Sequence, residues 1–117
     1  MPDAQFLESG GSKKGCTPRG ERCEVSVSAK RLPNPFSAIR RREIGDTFEE
    51  IKDWIMAKNP VVWNEILESC RSYLKRGVSL RVECYGGQHR SYAIVQTLAL
   101  EFESREEPLT VVHQDRK

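Results

Sequence analysis

The stretch Val78-Ser79-Leu80-Arg81-Val82-Glu83-Cys84-Tyr85-Gly86-Gly87-Gln88-His89-Arg90-Ser91 decides the fold. Its first half alternates: Val78, Leu80 and Val82 share one face, and Ser79, Arg81 and Glu83 the other, the period of a strand. Two glycines break the alternation. After them Ala93, Ile94, Thr97, Leu98 and Phe102 recur at helical spacing. Residues 109–112 are apolar and largely β-branched and read as another strand. Strand, glycine loop, helix and strand within ~35 residues predict a βαβ unit with a parallel pair and a right-handed crossover.

Upstream, residues 5–8 read as a short strand and residues 9–20, with four of the eight glycines, as a loop. Val25 and Val27 alternate within a strand over residues 24–29. Leu32-Pro33-Asn34-Pro35 is a stiff turn, because each proline lacks an N–H and restricts the residue before it. Asp46 is the expected cap of a helix, with Glu49 three residues on and Phe48, Ile51 and Ile55 on one face. Asn59-Pro60 starts the next helix, whose buried stripe is Trp63, Ile66, Leu67, Cys70 and Leu74 and whose left-handed stop is Gly77. The expected fold is therefore a small single α/β domain over residues 1–117, with a mixed or parallel four-stranded sheet and about three helices.

The 117 residues fit one domain, and 38% hydrophobic with 31% charged residues is the balance of a globular protein. No apolar run approaches the ~18 residues of a membrane span. The first residues lack the pattern of a secretory signal, so a cytoplasmic protein without membrane contact is expected. Cys16, Cys23, Cys70 and Cys84 form no Cys-x-x-Cys pair and His89 and His113 stand apart, so thiols are expected rather than a metal site. No cofactor is expected. A net charge of +2 does not announce a nucleic-acid binder. Two basic clusters, Arg40-Arg41-Arg42 and Arg71 with Lys75 and Arg76, and the terminal Arg116 and Lys117 are the candidate RNA contacts. A homo-oligomer is left open.

The candidate site lies where strand meets helix. Free N–H groups and the helix dipole favour an anion there. Gly86 and Gly87 let the backbone come close to a ligand, Arg90 can fork onto two oxygens, and Ser91, Gln88 and His89 add donors. A phosphorylated small molecule is the expected partner. Cys84 and Arg90 also stand in the C-x5-R-[ST] spacing of cysteine-dependent phosphatases, in which a thiolate attacks phosphorus. That is the alternative, catalytic assignment.

Residues 82–91 resemble the Gly-Cys-Thr-Gly-Gly-[Gln/Lys]-His-Arg-Ser signature of the RapZ family's C-terminal domain. Three more segments match in order: residues 9–15, similar to Ser-Phe-Gly-x-Lys-x-Gly; the Leu32-Pro33-Asn34-Pro35 turn; and Val112-His113-Gln114-Asp115, similar to the family's closing motif. The resemblance implies a domain that senses glucosamine 6-phosphate, an amino-sugar phosphate, within an RNA-binding adapter. It places the pocket at Gly86, Gly87, His89, Arg90 and Ser91, with Lys13, Asn34 and His113 near it. The family's P-loop domain has no counterpart, since no Gly-x-x-x-x-Gly-Lys-[Ser/Thr] run is present. Tyr85 stands where the family has threonine, Ser28 where it has aspartate, and the basic tail is reduced to Arg116-Lys117.

Overall fold

The computed structural model describes residues 5–103 and 109–116. The strands are β1 (Gln5–Gly11), β2 (Val25–Ser28), β3 (Leu80–Cys84) and β4 (Leu109–His113); the helices are α1 (Phe36–Arg40), α2 (Phe48–Lys58), α3 (Pro60–Lys75) and α4 (Arg90–Phe102). One sheet holds the four strands in the order β2-β3-β1-β4, all parallel. The expected α/β class and four-stranded sheet are present. β3 and β4 run parallel but do not pair with each other, because β1 lies between them.

The structure differs from the sequence expectation at several places. Ser9, Gly10 and Gly11 are strand rather than loop, paired with Val82, Glu83 and Cys84. Glycine is needed in that strand because its neighbours come so close. A Cβ at Gly10 would lie 2.2 Å from the Arg81 guanidinium, and one at Gly11 would lie 2.8 Å from the Gly86 carbonyl carbon. The five-residue α1 is a fourth helix where only a turn was expected. Asn34 starts it by accepting the Phe36 N–H through Oδ1 at 3.1 Å.

The cap of α2 is Thr47, not Asp46. Thr47 has extended backbone angles, and its hydroxyl accepts the Glu50 N–H. The cap of α3 is Asn59 with Pro60 in the first turn, as the sequence indicates. Gly77 has φ +80°, and beyond it the Val78 N–H turns back to the Tyr73 carbonyl.

One face of the sheet is apolar. Leu7, Leu80, Val82 and Cys84 meet Ala93, Ile94 and Leu98 of α4, and the layer continues through Ile51, Ile55, Trp63, Leu67 and Leu74. Cys70 is buried in the same layer, which pushes its thiol pKa up to about 12. The other face carries charge. Arg81 is about 1% exposed; it donates to Glu8 at 2.9 Å, to Glu83 at 3.1 Å, to Gln114 at 2.7 Å and to the Gly11 and Thr17 carbonyls. Glu8, fully buried, also accepts from Arg22 and Gln114. Cys23 lies beside this pair; burial first, then the Glu8 carboxylate, pushes its thiol up to about 12.

Every polar atom of this network has a partner, so removing one member strands a charge. Arg81→Met is expected to lower unfolding stability by about 3–5 kcal/mol, the usual cost of breaking a buried pair, and the double variant with Glu8→Leu should recover much of it. Chemical denaturation midpoints of the two variants check this.

Candidate functional site

The loop after β3 is folded around a sulfur atom. The buried Cys84 Sγ accepts the Gly87 N–H at 3.2 Å and the Ser91 N–H at 3.4 Å, and lies 3.3 Å from the Ser91 hydroxyl. Gly87 turns the chain at φ +71°. It lies so close to β1 that a Cβ on it would stand 2.4 Å from the Gly11 nitrogen and 2.6 Å from the Gly10 carbonyl carbon. The strand end answers from its side: Ser12 N–H donates to the Cys84 and Tyr85 carbonyls and Lys13 N–H to the Tyr85 carbonyl. These bonds bring Lys13 beside the loop.

The segment after β4 fixes both partners. The Asp115 carboxylate accepts the Gly11 N–H at 2.8 Å and the Thr17 N–H at 2.9 Å. Burial alone would raise its pKa, but these two donors win and hold it below the ordinary carboxylate value. Arg116 donates to the Gln88 carbonyl at 2.6 Å and to Asp46 at 3.0 Å, with its guanidinium 4.2 Å from the Tyr92 ring centroid. His89, the first flanking residue of α4, stands 3.5 Å from Asp46. Burial pushes its pKa down; Asp46 opposes this, while Arg116 and Arg90 add to it.

A pocket of about 250 Å³ results, lined by Lys13, Asn34, Phe36, Cys84, Tyr85, Gly86, Gln88, His89 and Arg90. It lies beyond the carboxyl ends of β1, β2 and β3, where open parallel sheets bind ligands. The His89 side chain does not cap α4, and Cys84 Sγ takes the Ser91 N–H of its first turn, so the helix start borders the pocket with its dipole. Arg90 is largely buried: its Nη1 donates to the Lys30 carbonyl at 2.9 Å and the Leu32 carbonyl at 3.3 Å. It therefore ties the 32–35 turn to the loop as well as lining the pocket.

Of the residues singled out from sequence, Lys13, Asn34, Gly86, Gln88, His89 and Arg90 come together, with Cys84 of the catalytic alternative. Gly87 and Ser91 do not line the pocket. Gly87 is buried against β1, and the Ser91 hydroxyl bonds Cys84 and the Gly10 carbonyl. His113 is also elsewhere: its Nδ1 meets Ser9 Oγ at 2.9 Å and its Nε2 meets Gln96 at 3.0 Å, bridging β4 to β1 and α4. Tyr85, noted in sequence only as the replacement of the family's threonine, also lines the pocket, and Phe36 was missed. An aromatic residue beside the 32–35 turn gives no sequence signal until that turn meets the glycine loop.

The basic candidates stay on separate elements. Arg40, Arg41 and Arg42 are exposed at the end of α1, with Arg41 paired to Glu43. Arg71 is held between Glu68 and Glu101, and Arg116 between Asp46 and Gln88. Lys75 and Arg76 are exposed at the end of α3, and Lys117 lies outside the described residues. Among the described residues no cluster of three or more His, Cys, Asp or Glu side chains could hold a metal ion, and no helix is long and apolar enough to cross a membrane.

Residues 6–117 match the family model of the RapZ C-terminal domain. The chain belongs to this family. Proteins named as nucleotide-binding proteins are similar to this RapZ C-terminal domain. One from Desulfitobacterium hafniense is 30% identical over 102 residues, covering 79% of this chain and 34% of that protein. One from Lactobacillus acidophilus is 28% identical over 101 residues, with the same coverage, 79% and 34%. One from Corynebacterium aurimucosum is 26% identical over 119 residues, 93% of this chain and 40% of that protein. The chain thus spans about a third of the length of the curated relatives it matches.

Gly87→Ala is expected to destabilise this RapZ C-terminal domain by at least ~2 kcal/mol, since it adds both left-handed strain and a clash with rigid backbone; a thermal melt checks it. Acid should act through the histidines. Burial pushes both His89 and His113 down, with Arg116 adding to the shift at His113. The unfolded chain therefore binds more protons between the lowered and the ordinary imidazole pKa. The stability they contribute is intact above ~6.5 and lost as pH falls below it. Urea midpoints should fall from pH 7.5 to 5.5, and His113→Gln should flatten the slope.

Proposed function

We propose that this domain binds a small phosphorylated molecule, with an amino-sugar phosphate as the family's ligand class, and acts as a sensor without turnover. One observation supports it above the others. Lys13, His89 and Arg90 converge with the start of α4 on a single pocket at the carboxyl ends of three parallel strands. A phosphate there gains a point charge from Lys13, the helix dipole and close backbone approach at Gly86.

The phosphatase alternative has less support. Cys84 lines the pocket, but the lining includes no Asp or Glu to protonate a leaving group. Arg90 also has Nη1 committed to two carbonyls. The RNA-adapter role is weaker still for this chain, whose net charge is +2 and whose Arg71 and Arg116 are paired within the fold. Cysteines without a disulfide among the described residues suit a cytoplasmic setting.

Thermal denaturation with inorganic phosphate and with glucosamine 6-phosphate tests the assignment. A ligand at ~100 times its dissociation constant adds ~2.7 kcal/mol of stability. Lys13 is exposed, so Lys13→Ala should leave the unliganded melting temperature in place and remove most of the ligand shift. Equal shifts in both proteins would contradict it.

A further inference from the structure

We propose that this pocket takes up a proton together with its anion: His89 becomes an imidazolium that bridges the bound phosphate and Asp46, and Asp46 is the residue that positions it. The proposal rests on the phosphate-pocket assignment above and adds how that pocket is regulated.

His89 stands between two sides of the site. It lines the pocket, and its Nε2 lies 3.5 Å from Asp46 Oδ1. Asp46 is outside the lining and is itself fixed by Arg116. One Arg116 nitrogen donates to the Asp46 carboxylate at 3.0 Å and the other to the Asp46 carbonyl at 2.6 Å. The Gln88 carbonyl and the Tyr92 ring hold Arg116 in turn. The carboxylate is therefore in place before any ligand arrives. With Nε2 directed to Asp46, Nδ1 is the ring nitrogen left to a ligand. A neutral imidazole donates through one nitrogen, an imidazolium through both. An anion in the pocket puts acceptors on both sides of the ring, so the charged form alone satisfies the two.

The free domain favours the neutral form. Lys13, from the segment after β1, and Arg90 of α4 line the pocket as cations, together with Cys84 and Tyr85 at the end of β3. Arg116, after β4, is a third cation close by. Asp46, before α2, is the one counter-charge among these groups, and Arg116 already shares it. The His89 side chain is 17% exposed, so water offsets little of this. Burial pushes the imidazole pKa down, Arg116 and Arg90 add to that, and Asp46 opposes it. A phosphate supplies the missing negative charge from the pocket side and raises the imidazole pKa, and the proton comes from solvent. By linkage, affinity rises as pH falls through the pKa of the complex and levels off below the lowered pKa of the free domain.

Sulfate is the probe, because it stays fully ionised across the range in which an imidazole titrates. Isothermal titration of sulfate between pH 8 and pH 6 tests the proposal on the wild type, His89→Gln and Asp46→Asn, with circular dichroism melts at each pH to confirm that all three are folded. Wild-type affinity should rise with falling pH by up to about ten-fold per pH unit, the limit for one proton, and heats in two buffers of different ionisation enthalpy should show the proton taken up. His89→Gln should bind sulfate with an affinity that does not vary with pH and without proton uptake. Asp46→Asn keeps an acceptor for Arg116 but loses the counter-charge, so its rise should move to lower pH. A flat wild-type profile, or a pH dependence that persists in His89→Gln, would overturn the proposal and leave the phosphate pocket standing. An Asp46→Asn profile identical to the wild type would overturn the role of Asp46. Absence of binding by sulfate and by inorganic phosphate at every pH would remove the pocket assignment itself.

Discussion

The packing of Gly87 on Gly10 and Gly11 is the contact on which the site depends. It sets backbone against backbone with no room for a side chain on either partner. Because the two chains touch directly, Ser12 and Lys13 can donate to the loop carbonyls, and the Lys13 side chain arrives over Gly86. Because Gly87 sits so deep, its N–H reaches the Cys84 sulfur, and α4 starts with its first turn turned toward the pocket. A larger residue at Gly87 or Gly11 would force the loop away from the strand, whereas one at Gly10 would run into the Arg81 guanidinium.

Two polar clamps hold this contact. Asp115 bonds Gly11 and Thr17, and Arg116 bonds Gln88 and Asp46. Asp115 lies 104 residues from Gly11 and 98 from Thr17, and Arg116 lies 28 residues from Gln88 and 70 from Asp46. The buried Glu8–Arg81 pair works on the opposite face of the same strands. The charged side of the sheet therefore orients β1 against β3, and the apolar side supplies the core.

Much of the fold was legible because its signals are local. The alternation before Cys84, the Asn59-Pro60 start and the Gly77 stop each depend on a few adjacent residues and each lie where expected. The errors came from residues whose partners are distant. Gly10 and Gly11 look like loop glycines until Arg81 and the 85–86 backbone are placed against them. Asp46 looks like a helix cap until Arg116, seventy residues later, takes its carboxylate. The same distinction divides the site. Gly86, read from the glycine turn, and Lys13 and Asn34, placed by motif resemblance, line the pocket, whereas Ser91, read as a donor, and His113, placed by resemblance, bond within the fold.

The strand order carries a consequence for how the chain reaches this state. β1 is the first strand in sequence yet lies between β3 and β4, so each of its hydrogen-bonding edges waits for a segment more than seventy residues away. Nothing local can satisfy it in the meantime, and closing such long loops must precede the contacts that reward it. Glu8 and Arg81 face the same delay, each a costly charge to bury without the other. Sheet, ion pair and glycine loop thus depend on one another across distant segments, and β1 lacks its second neighbour until β4 has been made.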